Sequence, residues 1–179
     1  MELSKNIFVI ESLLSAEECH DLIKESEEMG YSQADVQVHN GRQHLPRIRN
    51  NERVNLHSQQ LAHELWEKIA SYPLPVYEGK HPIGLSPYFR FYKYVQGQKF
   101  KIHQDGRQNV EGKETLFTLL VFLSEGFKGG ETMFKQDRIL VIPKIGKALI
   151  FEHRLWHKGC VVEDGVKYVI RTDIAYSSF

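Results

Sequence analysis

Only two cysteines, Cys19 and Cys160, occur in 179 residues, and they lie far apart. A disulfide framework is excluded, and two free thiols in a reducing compartment are expected. Charge of one sign is not in excess either, with 23 basic and 23 acidic side chains. A nucleic-acid coat or a polybasic membrane binder draws its affinity from surplus Lys and Arg, so both are disfavoured. Long hydrophobic runs are missing: the N-terminal run Ile7 to Ile10 stops at Glu11, far short of a signal h-region or a membrane span. No period of repetition and no low-complexity stretch interrupts the chain. The expectation is one cytoplasmic domain over residues 1–179, without membrane association.

What is present divides into two halves. Ser15-Ala16-Glu17-Glu18 reads as a capping box, Cys19, Leu22 and Ile23 as an apolar stripe, and Gly30 as a stop. A second helix is expected from about Ser58 to Ala70, ended by Pro73 and Pro75. From Pro87 the pattern becomes strand-like: Phe89 to Val95, Thr115 to Leu123 (nearly all apolar, as in a strand covered on both faces), Arg138 to Ile142, Lys147 to Phe151 and Val166 to Tyr176. Asp164-Gly165 is expected to be a two-residue hairpin turn into the last strand. Helices followed by closely spaced strands point to a β-sandwich or barrel with helices packed outside.

The composition is unusual only in its nine histidines. His20, His63, His39, His44, His57 and His81 have nothing nearby to complete a site. His103-Gln104-Asp105 differs, because an imidazole and a carboxylate at i and i+2 share a face on a strand. Roughly 0.3 such triplets arise by chance, so the motif alone is weak. His157 follows the Lys147–Phe151 strand by a short loop and is expected to face His103 across a sandwich interior. Two histidines and one carboxylate make the facial triad of non-haem Fe(II) oxygenases, with open coordination positions. His153 competes, since His153 and His157 at i, i+4 could hold zinc with Cys160, although no C-x-x-C pair closes such a site. Ten residues beyond His157, the last strand places Lys167, Val169, Arg171 and Asp173 on one face. Two buried cations are costly unless anions pair with them; Asp173 supplies one, and a dicarboxylate cosubstrate could supply the other.

These residues resemble the prolyl 4-hydroxylase-like 2-oxoglutarate- and Fe(II)-dependent dioxygenases. The likeness spans roughly residues 84–176. It rests on the strand from Tyr92 to Gly97, His103 and Asp105, the Gly-Gly-Glu-Thr turn before Phe134, the Pro143 to Phe151 segment, His157 and Lys167. The resemblance implies a mainly β fold with flanking α-helices, a double-stranded β-helix (jelly roll, cupin-like) at residues 84–179, and a helical/β support and lid region at 1–83. It implies Fe(II) on His103, Asp105 and His157, and 2-oxoglutarate with its distal carboxylate on Lys167. Lysine offers a point charge rather than a fork, so Tyr94 is the expected hydroxyl partner. The family's other cosubstrate tyrosine falls at Phe122, which has no hydroxyl; Thr118 or Arg171 would compensate. The implied reaction consumes O2, releases succinate and CO2, and hydroxylates a substrate C–H, with ascorbate as an accessory reductant.

On the substrate side, Arg42 to Arg53 holds four arginines and one glutamate. It reads either as a solvated loop or as a lid in which Arg42, Arg47 and Arg49 meet an acidic peptide or a nucleic-acid phosphate. The loop Gly106 to Lys113, with Arg107, is a second candidate. A protein or peptide substrate, a prolyl or other side chain, is expected. The alternatives are a nucleic-acid demethylase of the same superfamily and a non-catalytic jelly-roll binding module.

Overall fold

The computed structural model describes residues 1–34 and 50–177, together with the backbone of Val36–Val38 and Gly41–Gln43. The expected helices form. In α1 (Ala16–Met29) the Ser15 hydroxyl accepts from the Glu18 amide and the Glu18 carboxylate accepts from the Ser15 amide. Gly30 ends it at φ +82, a conformation that costs other residues about 1 kcal/mol or more. In α2 (Gln59–Ile69) the Ser58 hydroxyl caps the Leu61 amide, and Ala62, Leu65 and Ile69 are buried.

Both helices cover the outer face of a large antiparallel sheet. Its strand order is Glu2–Ser4, Ile7–Ile10, Ala148–Glu152, Lys113–Phe122, Lys167–Ser177, Tyr88–Tyr94, Glu52–His57 and Ser32–Gln33. Alternation sorts the central strands into two layers. Phe89, Phe91, Phe117, Leu119, Ile170 and Ile174 pack with the helices, whereas Tyr92, Tyr94, Phe122 and Val169 face inward. Phe134, from a smaller sheet ordered Leu140–Val141, Thr132–Phe134, His157–Gly159 and Phe100–His103, joins that inner layer. The result is a double-stranded β-helix. The near-continuous burial of Thr115 to Phe122 follows from its central place in the large sheet, with helices on one side and the small sheet on the other.

Four local expectations need correction. His103 ends its strand and Asp105 lies beyond it, so strand alternation does not set their relation. His103 and His157 do not oppose each other across the interior; they are register partners on neighbouring strands. Val162–Asp164 pairs with Lys128–Gly129, not with the last strand, so Asp164-Gly165 is a corner between sheets rather than a hairpin. The strand expected at Arg138 to Ile142 shrinks to Leu140–Val141, because a 3-10 turn at Gln136–Arg138 precedes it with φ +51 and +52 at Asp137 and Arg138.

Among residues before 84, Ile7–Ile10 pairs with Ala148–Glu152, and Glu52–His57 pairs with Tyr88–Tyr94. Among the described residues no helix is long and apolar enough to cross a membrane.

Candidate active site

The small sheet brings His103 and His157 side by side, with ring centroids 4.2 Å apart. Each ring is fixed by its Nδ1, which contacts a carbonyl two residues earlier: Lys101 O at 2.8 Å and Leu155 O at 2.9 Å. A carbonyl only accepts, so each Nδ1 carries the proton and each Nε2 offers a lone pair. Both lone pairs converge on Asp105, at 3.7 Å from His103 Nε2 to Oδ1 and 3.9 Å from His157 Nε2 to Oδ2. Phe100 stacks on His103 at 3.7 Å, and Phe151 lies 4.6 Å from His157, which fixes the ring planes further.

Asp105 is held from both ends. Its amide donates to His153 O at 2.8 Å, its Oδ2 accepts from the Thr118 hydroxyl at 2.6 Å, and Arg171 Nη2 lies 3.2 Å from the same oxygen. Burial, then the neighbouring His157, pushes His103 down to about 3, and burial lowers His157 as well. Burial alone would raise the Asp105 carboxyl, but Arg171 and the two imidazoles outweigh it and hold the group well below the usual carboxylate range. Two neutral imidazoles and one ionised carboxylate are the protonation states a divalent cation requires. One ligand atom from each of the three residues lies within 4.8 Å of the others, so the donor set fits a metal ion. Among the described residues this is the one such group; Cys160 is not in it.

His153 sits elsewhere. It is fully buried, with Nδ1 on Gly106 O at 3.0 Å and Nε2 unpartnered, 3.9 Å from Asp173 Oδ1. Its place in the site is through its backbone, whose carbonyl anchors Asp105.

Lys167 and Arg171 do project from the same face of the last strand, with different surroundings. Lys167 is buried and donates to Gly130 O at 2.6 Å, with its ammonium over the rings of Tyr94 (5.3 Å) and Phe122 (5.4 Å). Among the described residues no carboxylate forms an ion pair with it, and burial pulls it from 10.5 to about 8. Phe122 thus offers its π face where a hydroxyl is lacking. Arg171 is engaged by two carboxylates, Asp105 and Asp173 (2.9 Å), which raise it despite burial, and its Nη2 approaches Thr118 Oγ1 at 3.4 Å. The described contacts of Thr118 and Arg171 therefore converge on Asp105.

Two residues that entered the sequence reading only as parts of motifs take places beside the site. Tyr92 is buried on the inner face, 6.5 Å from the Tyr94 ring; its position two residues before Tyr94 was the available signal. Gly130 is the second. At φ +70 an added Cβ would lie 3.0 Å from Phe127 Cε2 and 3.2 Å from Lys167 Cδ, so the Gly-Gly turn lets the backbone approach the lysine stem.

On the substrate side, Arg107 Nη atoms bind Glu78 at 2.7 and 2.9 Å and Glu114 at 3.3 Å, so this guanidinium is already matched by carboxylates. Arg47 and Arg49 lie outside the described residues, and Arg42 is described only as backbone in the strand Gly41–Gln43.

Comparisons with known proteins agree with this geometry. Residues 89–172 match the family model of the 2OG-Fe(II) oxygenase superfamily. A curated relative, "Probable prolyl 4-hydroxylase 11" of Arabidopsis thaliana, is 40% identical over 65 residues, covering 32% of this chain and 22% of its own length. The chain thus spans about a fifth of the curated relative it matches. Among solved structures, a Trichoplax adhaerens prolyl hydroxylase in complex with a hypoxia inducible factor peptide fragment aligns with a TM-score of 0.75 at 14% identity, covering 96% of this chain and 84% of that one. A Pseudomonas putida prolyl-4-hydroxylase aligns at 0.70 with 15% identity over 95% and 92% of the two chains. The viral collagen prolyl hydroxylase of Paramecium Bursaria Chlorella virus-1, solved with 2OG, aligns at 0.65 with 23% identity over 96% and 97%. Residues 89–172 thus match the 2OG-Fe(II) oxygenase superfamily, and the double-stranded β-helix is the fold this chain shares with the solved prolyl hydroxylases above.

Proposed function

We propose that this protein is a 2-oxoglutarate- and Fe(II)-dependent dioxygenase that hydroxylates a C–H of a protein or peptide side chain, a prolyl residue first, with release of succinate and CO2. The reading is carried by a coincidence in the inner layer: two imidazole Nε2 lone pairs converge on Asp105, and the same strand that supplies Arg171 buries an ammonium, Lys167, without a carboxylate partner among the described residues. Polypeptide substrates are favoured by the collagen and peptide-complex relatives above.

His103, Asp105 and His157 would hold Fe(II), which when bound supplies the oxidative chemistry with 2-oxoglutarate and O2. The chain's own residues do the rest. Thr118 and Arg171 both bind Asp105 Oδ2, which restrains the carboxylate and leaves Oδ1 on the His103 side. We assign these two residues to orienting the metal ligand before contacting cosubstrate. Lys167 would pair with the distal carboxylate of 2-oxoglutarate, and Tyr94, Phe122 and Val169 wall that pocket with aromatic and aliphatic surface. Water excluded by those walls no longer screens the ion pair.

The test is anaerobic. Fe(II) and 2-oxoglutarate added to the protein should produce the weak visible metal-to-ligand charge-transfer band, and admitting O2 should yield succinate. Absence of both overturns the proposal. His103→Ala and His157→Ala should each abolish the band, whereas His153→Ala should retain it; the opposite pattern would move the metal to His153.

A further inference from the structure

A groove of about 410 Å3 runs along the strands Glu52–His57 and Tyr88–Tyr94. Cross-strand register builds its floor, with His57 opposite Tyr88 and Asn55 opposite Arg90. His57 and the 55%-exposed Tyr88 meet edge to face at 4.7 Å, making an aromatic rim. Asp173 also lines it, bound by Arg171, which in turn binds Asp105. The groove is therefore linked through charged contacts to the proposed metal centre.

Arg90 is the cation in it that is only loosely engaged. Its side chain is only 25% exposed, yet its ion pair with Asp173 Oδ2 is 3.8 Å long, beyond hydrogen-bond reach. Asp173 is instead taken by Arg171 at 2.9 Å. A planar fork of N–H donors, partly buried and loosely engaged by the protein, is well placed to take a carboxylate in bidentate fashion. Charges in the centre also cancel without Arg90. A bound Fe(II) would balance the 2-oxoglutarate dianion, Asp105 offsets Lys167, and Asp173 offsets Arg171.

Building on the dioxygenase reading, we propose that this groove is a subsite for an acidic residue of the peptide substrate. A Glu or Asp side chain a few residues from the oxidised position would pair with Arg90, the peptide lying over Tyr88. A lysine there would meet Arg90 and Arg171 around an already neutralised Asp173 and be repelled.

The experiment uses the full chain with Fe(II) and 2-oxoglutarate under nitrogen. Short fluorescein-labelled peptides with a central proline and flanks of Glu, Gln or Lys are titrated by anisotropy, so binding is read without turnover. Charge-assisted Arg–carboxylate pairing predicts that the Glu peptide binds about 10- to 100-fold tighter than the Gln peptide, with Lys weakest. Arg90→Gln should bring Glu and Gln to about equal affinity. Arg90→Glu should invert the order to favour Lys, an inversion that misfolding cannot produce. Equal binding of the three peptides, no binding by any of them, an order that survives Arg90→Gln, or displacement of the Glu peptide by single-stranded DNA would overturn the subsite. The charge-transfer band in the same sample separates the two ideas: a band without the ranking rejects the subsite alone, and a ranking without the band rejects the chemistry alone.

Discussion

Replacing Lys167 by Met keeps an unbranched stem and removes the ammonium, and its effects should have opposite signs without and with 2-oxoglutarate. In the ligand-free protein the charged form is penalised: a fall from 10.5 to about 8 through burial corresponds to about 3 kcal/mol. The substitution forfeits the 2.6 Å bond to Gly130 O, worth about 1–2 kcal/mol. The ligand-free variant should therefore be more stable by about 1–2 kcal/mol, or roughly 2–8 °C in Tm for a chain of this size. The pH dependence has a definite sign. The folded-state value lies below the unfolded one, so between about 8 and 10.5 the unfolded chain binds the extra proton. Wild-type stability should rise across that window, and the Lys167→Met protein should lack that rise. With 2-oxoglutarate the order reverses. A ligand at 100 times its Kd stabilises wild type by about 2.7 kcal/mol, whereas the variant has no cation for the distal carboxylate. Differential scanning fluorimetry at fixed metal, with and without 2-oxoglutarate, reads both effects. A variant that melts lower than wild type without ligand and keeps the full 2-oxoglutarate shift would refute the assignment of Lys167.

Two further substitutions probe the scaffold of the site. Thr118→Val removes the hydroxyl 2.6 Å from Asp105 Oδ2 and should weaken Fe(II) affinity about 10- to 100-fold in competition with a chelator; unchanged affinity would end its positioning role. Gly146→Ala would place a Cβ 2.0 Å from Leu14 O at φ +76, where the Leu13 and Leu14 amides donate to Gly146 O. A loss of about 2 kcal/mol or more in urea unfolding is expected, and a near-neutral result would show that this crossing of the N-terminal turn can relax.

Legibility differed by kind of element. Helices α1 and α2 could be read directly because capping is local: Ser15 and Glu18 are three residues apart, and Gly30 supplies its own left-handed stop. The covered central strand was readable because its apolar run is unbroken. The short strands of the small sheet were not, since two or three residues carry no periodicity; Thr132–Phe134 is ordered by its partners. The Asp164-Gly165 turn misled for a related reason. Its residues suit a hairpin, but Val162–Asp164 pairs with Lys128–Gly129 in a sheet of its own while Lys167 pairs with Tyr94 in the large one, so the chain changes sheets there. Arg107 shows the limit for charges: nothing local predicts that Glu78, 29 residues away, will bind it.

Residue types and their spacing thus determined the chemical inventory. Two histidines, an aspartate and a basic residue ten positions after His157 are covalent facts, and so is the resemblance they carry. Tertiary structure decided which atoms meet. It made His103 and His157 neighbours in one sheet, turned His153 away to face Asp173, spent Arg171 and Thr118 on Asp105, buried Lys167 without a carboxylate partner among the described residues, and left Arg90 half-buried with a long ion pair. The reason is physical. Ligand identity belongs to a side chain, whereas lone-pair direction, desolvation and the availability of a charge depend on register and on partners far away in the chain.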